Sequence, residues 1–390
     1  MKPNLLVAAP HYGKLSEVWM RRQIQHLGAF NIHILTWSLE GNADTNENIT
    51  VLEEFDWNSH AGQIRWLRRA QNSMGLNFYG VRGNEKRVIS NIVSSLRPDV
   101  VLAHFGPTAL KILPITKRLG VPLVTHYHGY DLSSGLRSPW YRWSLRFQRS
   151  AFYASVVVGE FQRSVLTALG HREETIHCIP CGVPFSYFQA TTDGNKEKQL
   201  APRFIYVGRL VRQKGIDISL RAFRRVLEKH PTCELTIIGE GPEETAIKDL
   251  VHDLDLNPSV RLTGALKQDE VLRELKRSDV YIQHSIPGAD GSIEGFGVAI
   301  TEASACGLPV VSTSTGGIPD QIMHGENGFL VSPHDEMGMA ERMLELANNP
   351  EKRRKMGEAA RERARLYFDT ADLTARLERV LLDAIRGSHG

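Results

Sequence analysis

Short runs of apolar, β-branched residues recur along the chain, separated by segments whose apolar positions fall at helical spacing. That alternation is the pattern of buried parallel strands joined by crossover helices. In the first half it predicts strands at residues 5–9, 32–36, 100–104, 123–126 and 154–158. In the second half it predicts them at 204–207, 234–238, 260–263, 280–283, 309–312 and 329–331. Each half therefore reads as a doubly wound α/β sheet. Between them the polar run Thr191-Thr192-Asp193-Gly194-Asn195-Lys196-Glu197-Lys198 has little to bury and reads as a linker. The expected organisation is a first Rossmann-like domain over 1–195, a second over 196–370, and a C-terminal helix and tail over 371–390 returning toward the first domain. A length of 390 residues suits two such domains with a ligand cleft between them.

Three loops of the second half follow predicted strands, and open α/β sheets take ligands at the carboxyl ends of their strands. The first, Gly208-Arg209-Leu210-Val211-Arg212-Gln213-Lys214-Gly215, carries Arg209 and Lys214 from a strand end to a helix start. Two cations there suit a diphosphate: the Arg fork grips phosphate oxygens and Lys adds a mobile point charge. The second, Gly239-Glu240-Gly241-Pro242-Glu243, lets the backbone approach a base or phosphate, although a plain strand-to-helix turn would look the same. The third runs Glu294-Gly295-Phe296-Gly297-Val298-Ala299-Ile300-Thr301-Glu302. Its glycines free the backbone where a helix begins, so that unpaired amides and the helix dipole can hold a leaving phosphate. Glu294 is expected to swing outward toward sugar hydroxyls and Glu302 to meet a ribose diol. Ordinary helix capping is the competing account of the two acids.

Taken together, the Gly-Arg-Leu loop at Gly208, the Gly-Glu-Gly-Pro turn at Gly239 and the run from Glu294 through Gly317 resemble the retaining glycosyltransferases of the GT-B fold known as family 4. The resemblance spans nearly the whole chain and is stronger in the second half. It implies a hexosyl transfer from a UDP- or GDP-sugar to a glycan or lipid-linked acceptor in exopolysaccharide or lipopolysaccharide assembly. It further implies that Arg209 and Lys214 neutralise the donor diphosphate, that Glu302 binds the ribose, and that Glu294 with the amides of Phe296, Gly297 and Val298 positions the sugar and its phosphate. The donor is a substrate and no cofactor is implied. No metal is implied either, because cations and helix amides stabilise the leaving group. In the first half, His126-Tyr127-His128-Gly129-Tyr130-Asp131 resembles the family's His-Gly-x-Asp stretch, which puts His128 opposite the donor sugar; a structural histidine at a strand end is the alternative. The loop Pro10-His11-Tyr12-Gly13-Lys14-Leu15-Ser16-Glu17 stands where the family has a glycine-rich loop, with one glycine where a pair is common, and implies a phosphate contact at Gly13. Pro180-Cys181-Gly182-Val183-Pro184 departs from the family's Pro-Asn-Gly-Val-Asp.

Composition and charge narrow the partners. Residues 1–200 carry 22 Lys and Arg against 15 Asp and Glu, and the remainder 25 against 29. In the basic half, 138–149 and Arg65-Trp66-Leu67-Arg68-Arg69 interleave cations with aromatics. That suits an anionic membrane surface bearing a lipid-linked acceptor, or an amphipathic helix that packs its Trp and Leu inward. No membrane-spanning run and no signal-peptide pattern is seen, so a cytoplasmic location is expected, with a peripheral place on the inner face of the cytoplasmic membrane. The four cysteines are too few and scattered for a disulfide framework. Cys178 and Cys181 form a CxxC pair, but no further ligands stand at zinc spacing, so it reads as a strand end and turn. No GxGxxG follows the first strand, against a nicotinamide dehydrogenase, and no recognition motif supports nucleic acid as a partner. A silent GT-B scaffold or a transferase to a small-molecule acceptor remains the alternative.

Overall fold

The computed structural model describes residues 1–14, 17–40, 48–52, 83–189 and 201–388. Leu15, Ser16, the Arg65 to Arg69 segment and the polar run 191–198 lie outside them. The chain divides into two compact units: Met1–Cys181 with Ala371–Gly390, and Gly182–Thr370.

The first unit contains β1 (Asn4–Ala9), α1 (Val18–Gln25), β2 (Asn31–Thr36), β3 (Ile49–Val51), α2 (Gly83–Leu96), β4 (Val100–His104), α3 (Gly106–Leu119), β5 (Leu123–Tyr127), α4 (Pro139–Gln148), β6 (Ala154–Val157), α5 (Glu160–Ala168) and β7 (Ile176–Cys178). Its sheet is wholly parallel in the order β3-β2-β1-β4-β5-β6-β7. Successive strand residues face opposite ways, so Leu6 and Ala8 enter one apolar core while Leu5, Val7 and Ala9 enter another across the sheet. Burial on both faces explains why β1 reads as an unbroken apolar run rather than an alternating one.

The second unit contains α6 (Phe185–Gln189), β8 (Arg203–Val207), α7 (Ile216–Leu227), β9 (Glu234–Ile238), α8 (Glu244–Asp253), β10 (Val260–Leu262), α9 (Gln268–Arg277), β11 (Val280–Gln283), α10 (Val298–Ala305), β12 (Val310–Thr313), β13 (Gly328–Val331), α11 (Glu336–Asn348) and α12 (Pro350–Tyr367). The parallel order is β10-β9-β8-β11-β12-β13. Phe204 and Tyr206 point into one core, Ile205 into the other. On α7, Ile216, Leu220, Phe223 and Val226 recur at helical spacing and are all buried.

Every strand read from the sequence is present, most to within a residue at each end. β3 and β7 are additional; each has only three residues, too short for a periodic signal. The sequence reading changed domains near 195, whereas the compact units meet at Cys181 and Gly182. Backbone hydrogen bonds from Val183 N to Phe368 O (2.9 Å) and from Thr370 N to Val183 O (3.0 Å) tie the chain to the second unit well before the polar run. The last helix, α13 (Thr370–Ser388), lays Leu373, Leu377, Val380, Leu381 and Ala384 in the first unit's core beside Leu5 and Val7. Among the described residues no helix is long and apolar enough to cross a membrane.

Candidate active site

In the second unit the strand order reverses between β8 and β11, and a crevice at such a reversal is where doubly wound sheets hold their ligands. The predicted loops converge there. After β8, Gly208 leaves the strand, Arg209 is exposed, and a single 3-10 turn, Arg212–Lys214, leads to Gly215. Gly215 has φ +55°, and a Cβ on it would sit 2.0 Å from His284 O. Only glycine allows the helix start to press against the end of β11 in this way.

Lys214 Nζ is ion-paired with Glu294 Oε2, and the two side chains are only 15% and 12% exposed. The same carboxylate oxygen accepts hydrogen bonds from Gln283 Nε2 (3.1 Å) and Ser285 Oγ (3.3 Å). Gln283 is itself fixed, with Nε2 donating to Ser285 Oγ (2.8 Å) and Oε1 accepting from Tyr281 OH (2.8 Å). Burial first, and then the charge of Glu294, hold the Tyr281 phenol well above its ordinary pKa, so it stays a donor. The expectation that Glu294 swings outward is thus corrected: it is drawn against Lys214 and the end of β11, because a largely buried carboxylate needs a cation and hydrogen-bond donors around it.

The loop that carries Glu294 is shaped by glycines on both sides. Gly316 has φ +56° and would place a Cβ 2.0 Å from Glu294 O, and Gly317 N donates to that same carbonyl at 3.1 Å. Gly297, at φ +89°, is the N-cap of α10 and offers no side-chain cap. The amides of Phe296 and Gly297 have no acceptor among the described residues, and that of Val298 lies in the first helical turn, where the helix supplies none. Phe296 O is held by Gln321 Nε2, whose amide oxygen accepts from Thr301 Oγ1 at 2.6 Å. Glu302, on the same helix, is 8% exposed and accepts from Gln268 Nε2 at 3.3 Å. The Gly239 turn packs on the first loop, with Leu210 N donating to Glu240 O (2.8 Å), while the Glu240 carboxylate accepts from Ala265 N (3.3 Å). A short α-helix whose first amides are unclaimed, flanked by a lysine and an exposed arginine, can bind an anion and withstand further negative charge.

In the first unit the predicted residues are placed as follows. Gly13 has φ +91°, and a Cβ there would meet Glu40 O at 1.9 Å; its loop is sealed by Tyr12 N to Ser38 O (2.8 Å) and Glu40 N to Tyr12 O (2.9 Å). His128 follows β5 with Nε2 3.0 Å from His104 Nδ1 and Nδ1 3.9 Å from Cys181 Sγ. Its ring lies against Trp19 (4.0 Å between centroids) and His126 (4.2 Å). Asp131 is fully buried and accepts from the amides of Gly129 (2.9 Å), Gly106 (3.1 Å) and His128 (3.1 Å). Burial raises its pKa and those amides pull it back. Asp131 thus shapes the turn that presents His128, a role sequence reasoning did not give it. His104 and His126 were also not singled out; the His-x-His alternation was an available signal for His126, and His104 had none. Cys178 closes β7 as read, and all four cysteines are free thiols.

Comparison with known proteins agrees with this geometry. Residues 20–187 match Glycosyltransferase Family 4, and residues 190–363 match glycosyl transferases group 1. WcaL of Salmonella typhimurium, named as a colanic acid biosynthesis glycosyltransferase, is 30% identical over 72% of this chain and 70% of its own. The amylovoran biosynthesis glycosyltransferase AmsK of Erwinia amylovora is 30% identical over 69% of this chain and 67% of its own. Among solved structures, HepE of Anabaena in complex with UDP superposes with a TM-score of 0.76 at 17% identity, covering 97% of this chain and all of that one, which speaks to fold. With both halves matched, two parallel Rossmann-like sheets and the second-unit loops in place, the chain belongs to the group 1 glycosyltransferases, family 4, of the GT-B fold.

Proposed function

We propose that the protein transfers a hexosyl group from a nucleoside diphosphate sugar with retention of anomeric configuration and without a catalytic metal ion. The observation that carries this reading is the Lys214–Glu294 pair at the strand-order reversal, beside the unclaimed amides that open α10. In this reading the donor diphosphate takes Lys214, Arg209 and the amides of Phe296, Gly297 and Val298, and Glu294 turns its free oxygen to sugar hydroxyls. Glu302 holds the ribose, and Gly239 and Glu240 line the base or phosphate side. Gly13 gives a backbone contact to phosphate. His128 is the first unit's candidate for the donor-sugar contact that its His-Gly-x-Asp segment implies.

As the glycosidic bond breaks, charge gathers on the leaving phosphate, where fixed cations and a helix start stabilise it more than they stabilise the ground state. The acceptor hydroxyl attacks from the face the diphosphate leaves, and a phosphate oxygen takes its proton. The WcaL and AmsK likenesses support a place in exopolysaccharide assembly, and in this reading the acceptor is a glycan or a lipid-linked sugar. A thermal-shift screen against UDP-, GDP- and ADP-sugars tests the donor site: one nucleotide class should raise the melting temperature, by an amount that grows with the logarithm of its affinity, and R209E/K214E should abolish the rise. Turnover left intact by that double charge reversal would overturn the reading.

The membrane side of the proposal rests on α4. Ser138 caps it, with Tyr141 N donating to Ser138 Oγ at 3.4 Å. Tyr141 and Leu145 are buried, while Trp143 and Phe147 stack 4.9 Å apart on the exposed face among Arg142, Arg146 and Arg149. Cations around exposed aromatics suit an anionic bilayer. Flotation with anionic liposomes that is lost in W143A/F147A supports it; failure of the wild type to float at any ionic strength overturns it.

A further inference from the structure

Gln321 is a carboxamide set among apolar side chains. It follows the 3-10 turn Ile318–Asp320, and it is only 3% exposed. Its chain neighbours Ile318 and Ile322, with Ile300 of α10, are buried members of one apolar cluster. A Cβ on Gly297 would lie 3.2 Å from Ile300 Cδ1 and 3.6 Å from Gln321 Nε2, which places the amide beside the start of α10. An amide taken out of water costs free energy unless its donors and acceptor are matched. Here each end has a partner: Nε2 donates to Phe296 O, and Oε1 accepts from Thr301 Oγ1 at 2.6 Å. A carbonyl can only accept, so the Phe296 oxygen decides which way the amide faces.

The backbone under this side chain is pinned. Gln321 N donates to Ile318 O (3.0 Å), and Gln321 O accepts from Arg363 Nε (2.9 Å) and Asn327 Nδ2 (3.0 Å). Arg363 also donates from Nη2 to Asp320 O at 2.7 Å, and its guanidinium lies 5.0 Å over the Tyr367 ring. The same stretch holds Glu294 O through Gly317 N at 3.1 Å. Two carbonyls of the loop before α10, those of Glu294 and Phe296, are therefore drawn toward residues 317–321.

The carbonyl of Phe296 and the amide of Gly297 belong to one peptide unit. Such a unit is planar and trans, so its C=O and N–H point to opposite sides, and no cis bond occurs among the described residues. Holding the oxygen on Gln321 aims the Gly297 N–H the other way, where it has no acceptor among the described residues. Glycine on its own would let this peptide turn, because Gly297 has no Cβ to restrict it. The buried amide removes that freedom. Donors fixed in advance stabilise developing charge because they need not reorient as the reaction proceeds.

We propose that Gln321 is a positioning residue for departure of the nucleoside diphosphate: through Phe296 O it aims the Gly297 amide at the phosphate that leaves the donor sugar. It touches no substrate itself. This role rests on the donor-site reading above, in which that amide meets the diphosphate.

The test compares full-length wild type, Q321M and T301V. Methionine fills the space without a donor, and valine removes only the hydroxyl that orients the amide. Titration calorimetry with UDP, GDP and ADP and with the matching monophosphates gives the ratio of diphosphate to monophosphate affinity. A loosened fold weakens both, whereas a misaimed amide weakens only the diphosphate. Q321M should lower the ratio about 10-fold and T301V about 3-fold. Release of diphosphate from the donor sugar, with water as acceptor, should slow about 10- to 100-fold in Q321M, short of the roughly 100- to 1,000-fold for outright loss of an oxyanion donor. The donor KM should move less than about 3-fold, since charge on the phosphate grows only as the bond breaks. If Q321M does not fold, T301V decides by the same ratio. A folded variant with wild-type affinity ratio and turnover would overturn the role of Gln321 alone. A wild type that binds none of the three diphosphates would overturn the donor-site reading as well.

Discussion

Replacing Lys214 by methionine removes the cation and leaves the Glu294 carboxylate, 12% exposed, on two neutral donors, Gln283 Nε2 and Ser285 Oγ. An exposed ion pair contributes about 0–1 kcal/mol, whereas removing one partner of a buried pair costs about 3–5 kcal/mol. With two donors remaining, the expected loss of stability is about 2–3 kcal/mol, or roughly 5–10 °C in the melting temperature of a domain of this size. E294Q is milder, about 1 kcal/mol, because Lys214 can extend its stem to water. The double variant should recover about 1–2 kcal/mol relative to the sum of the single ones. Nucleotide binding separates the roles further. K214M should bind the free nucleoside diphosphate about 10- to 100-fold more weakly, the loss of one charge-assisted hydrogen bond. E294Q should bind it as well as the wild type or better, since the carboxylate no longer competes for the ammonium, yet turn over slowly because the sugar is unheld. Differential scanning fluorimetry and calorimetric titration of the four proteins give every term. Strict additivity of the single effects, together with unaltered diphosphate affinity in K214M, would refute the shared-cation argument.

Other outcomes follow from the same geometry. Gly316→Ala should cost about 3 kcal/mol in denaturant unfolding, since both φ +56° and a carbonyl 2.0 Å away oppose a Cβ, whereas Gly325→Ala, at φ +85° with open space, should cost about 1 kcal/mol. His284 is buried and its pKa is lowered to about 4, so the folded state keeps it neutral while the unfolded chain takes up a proton. Stability is then lost as pH falls from 6.5 toward 4, by about 1.4 kcal/mol at one unit below 6.5, and H284Q should flatten that part of the pH profile. Turnover should be the same with or without added Mg2+ or Mn2+, and a requirement for either ion would contradict transfer without a catalytic metal. The product anomer, read by NMR coupling constants, should match that of the donor, and inversion would exclude the same-face attack.

Much of the fold was legible because strands buried on both faces write themselves as apolar runs, as Val100 to His104 and Val280 to Gln283 do. β7 was not, since His177 interrupts a three-residue stretch. The second-unit site was legible for a related reason: Arg209, Lys214, Glu294 and Glu302 each lie within a few residues of a strand end or a glycine that marks one. Which way Glu294 turns was not, because it depends on Gln283 and Ser285, whose polarity in a buried strand end has meaning only once Lys214 stands opposite. Helical spacing separates the Tyr141 and Leu145 face of α4 from the Trp143 and Phe147 face, but which face packs is decided by the rest of the unit. The meeting of His104 with His126 and His128 needs the register of β4 against β5, and no spacing within one segment encodes that.

The return of α13 to the core beside β1 bears on how the molecule is made. A ribosome delivers the strands around β1 before the segment from Gly182 to Thr370, yet the helix that completes their packing emerges only after that whole segment has been synthesised. The later-made half can finish first, while the earlier-made half waits with Leu5, Val7 and Ala9 incompletely covered. A stop codon placed just after Thr370 would accordingly harm the beginning of the protein more than the region next to the lesion.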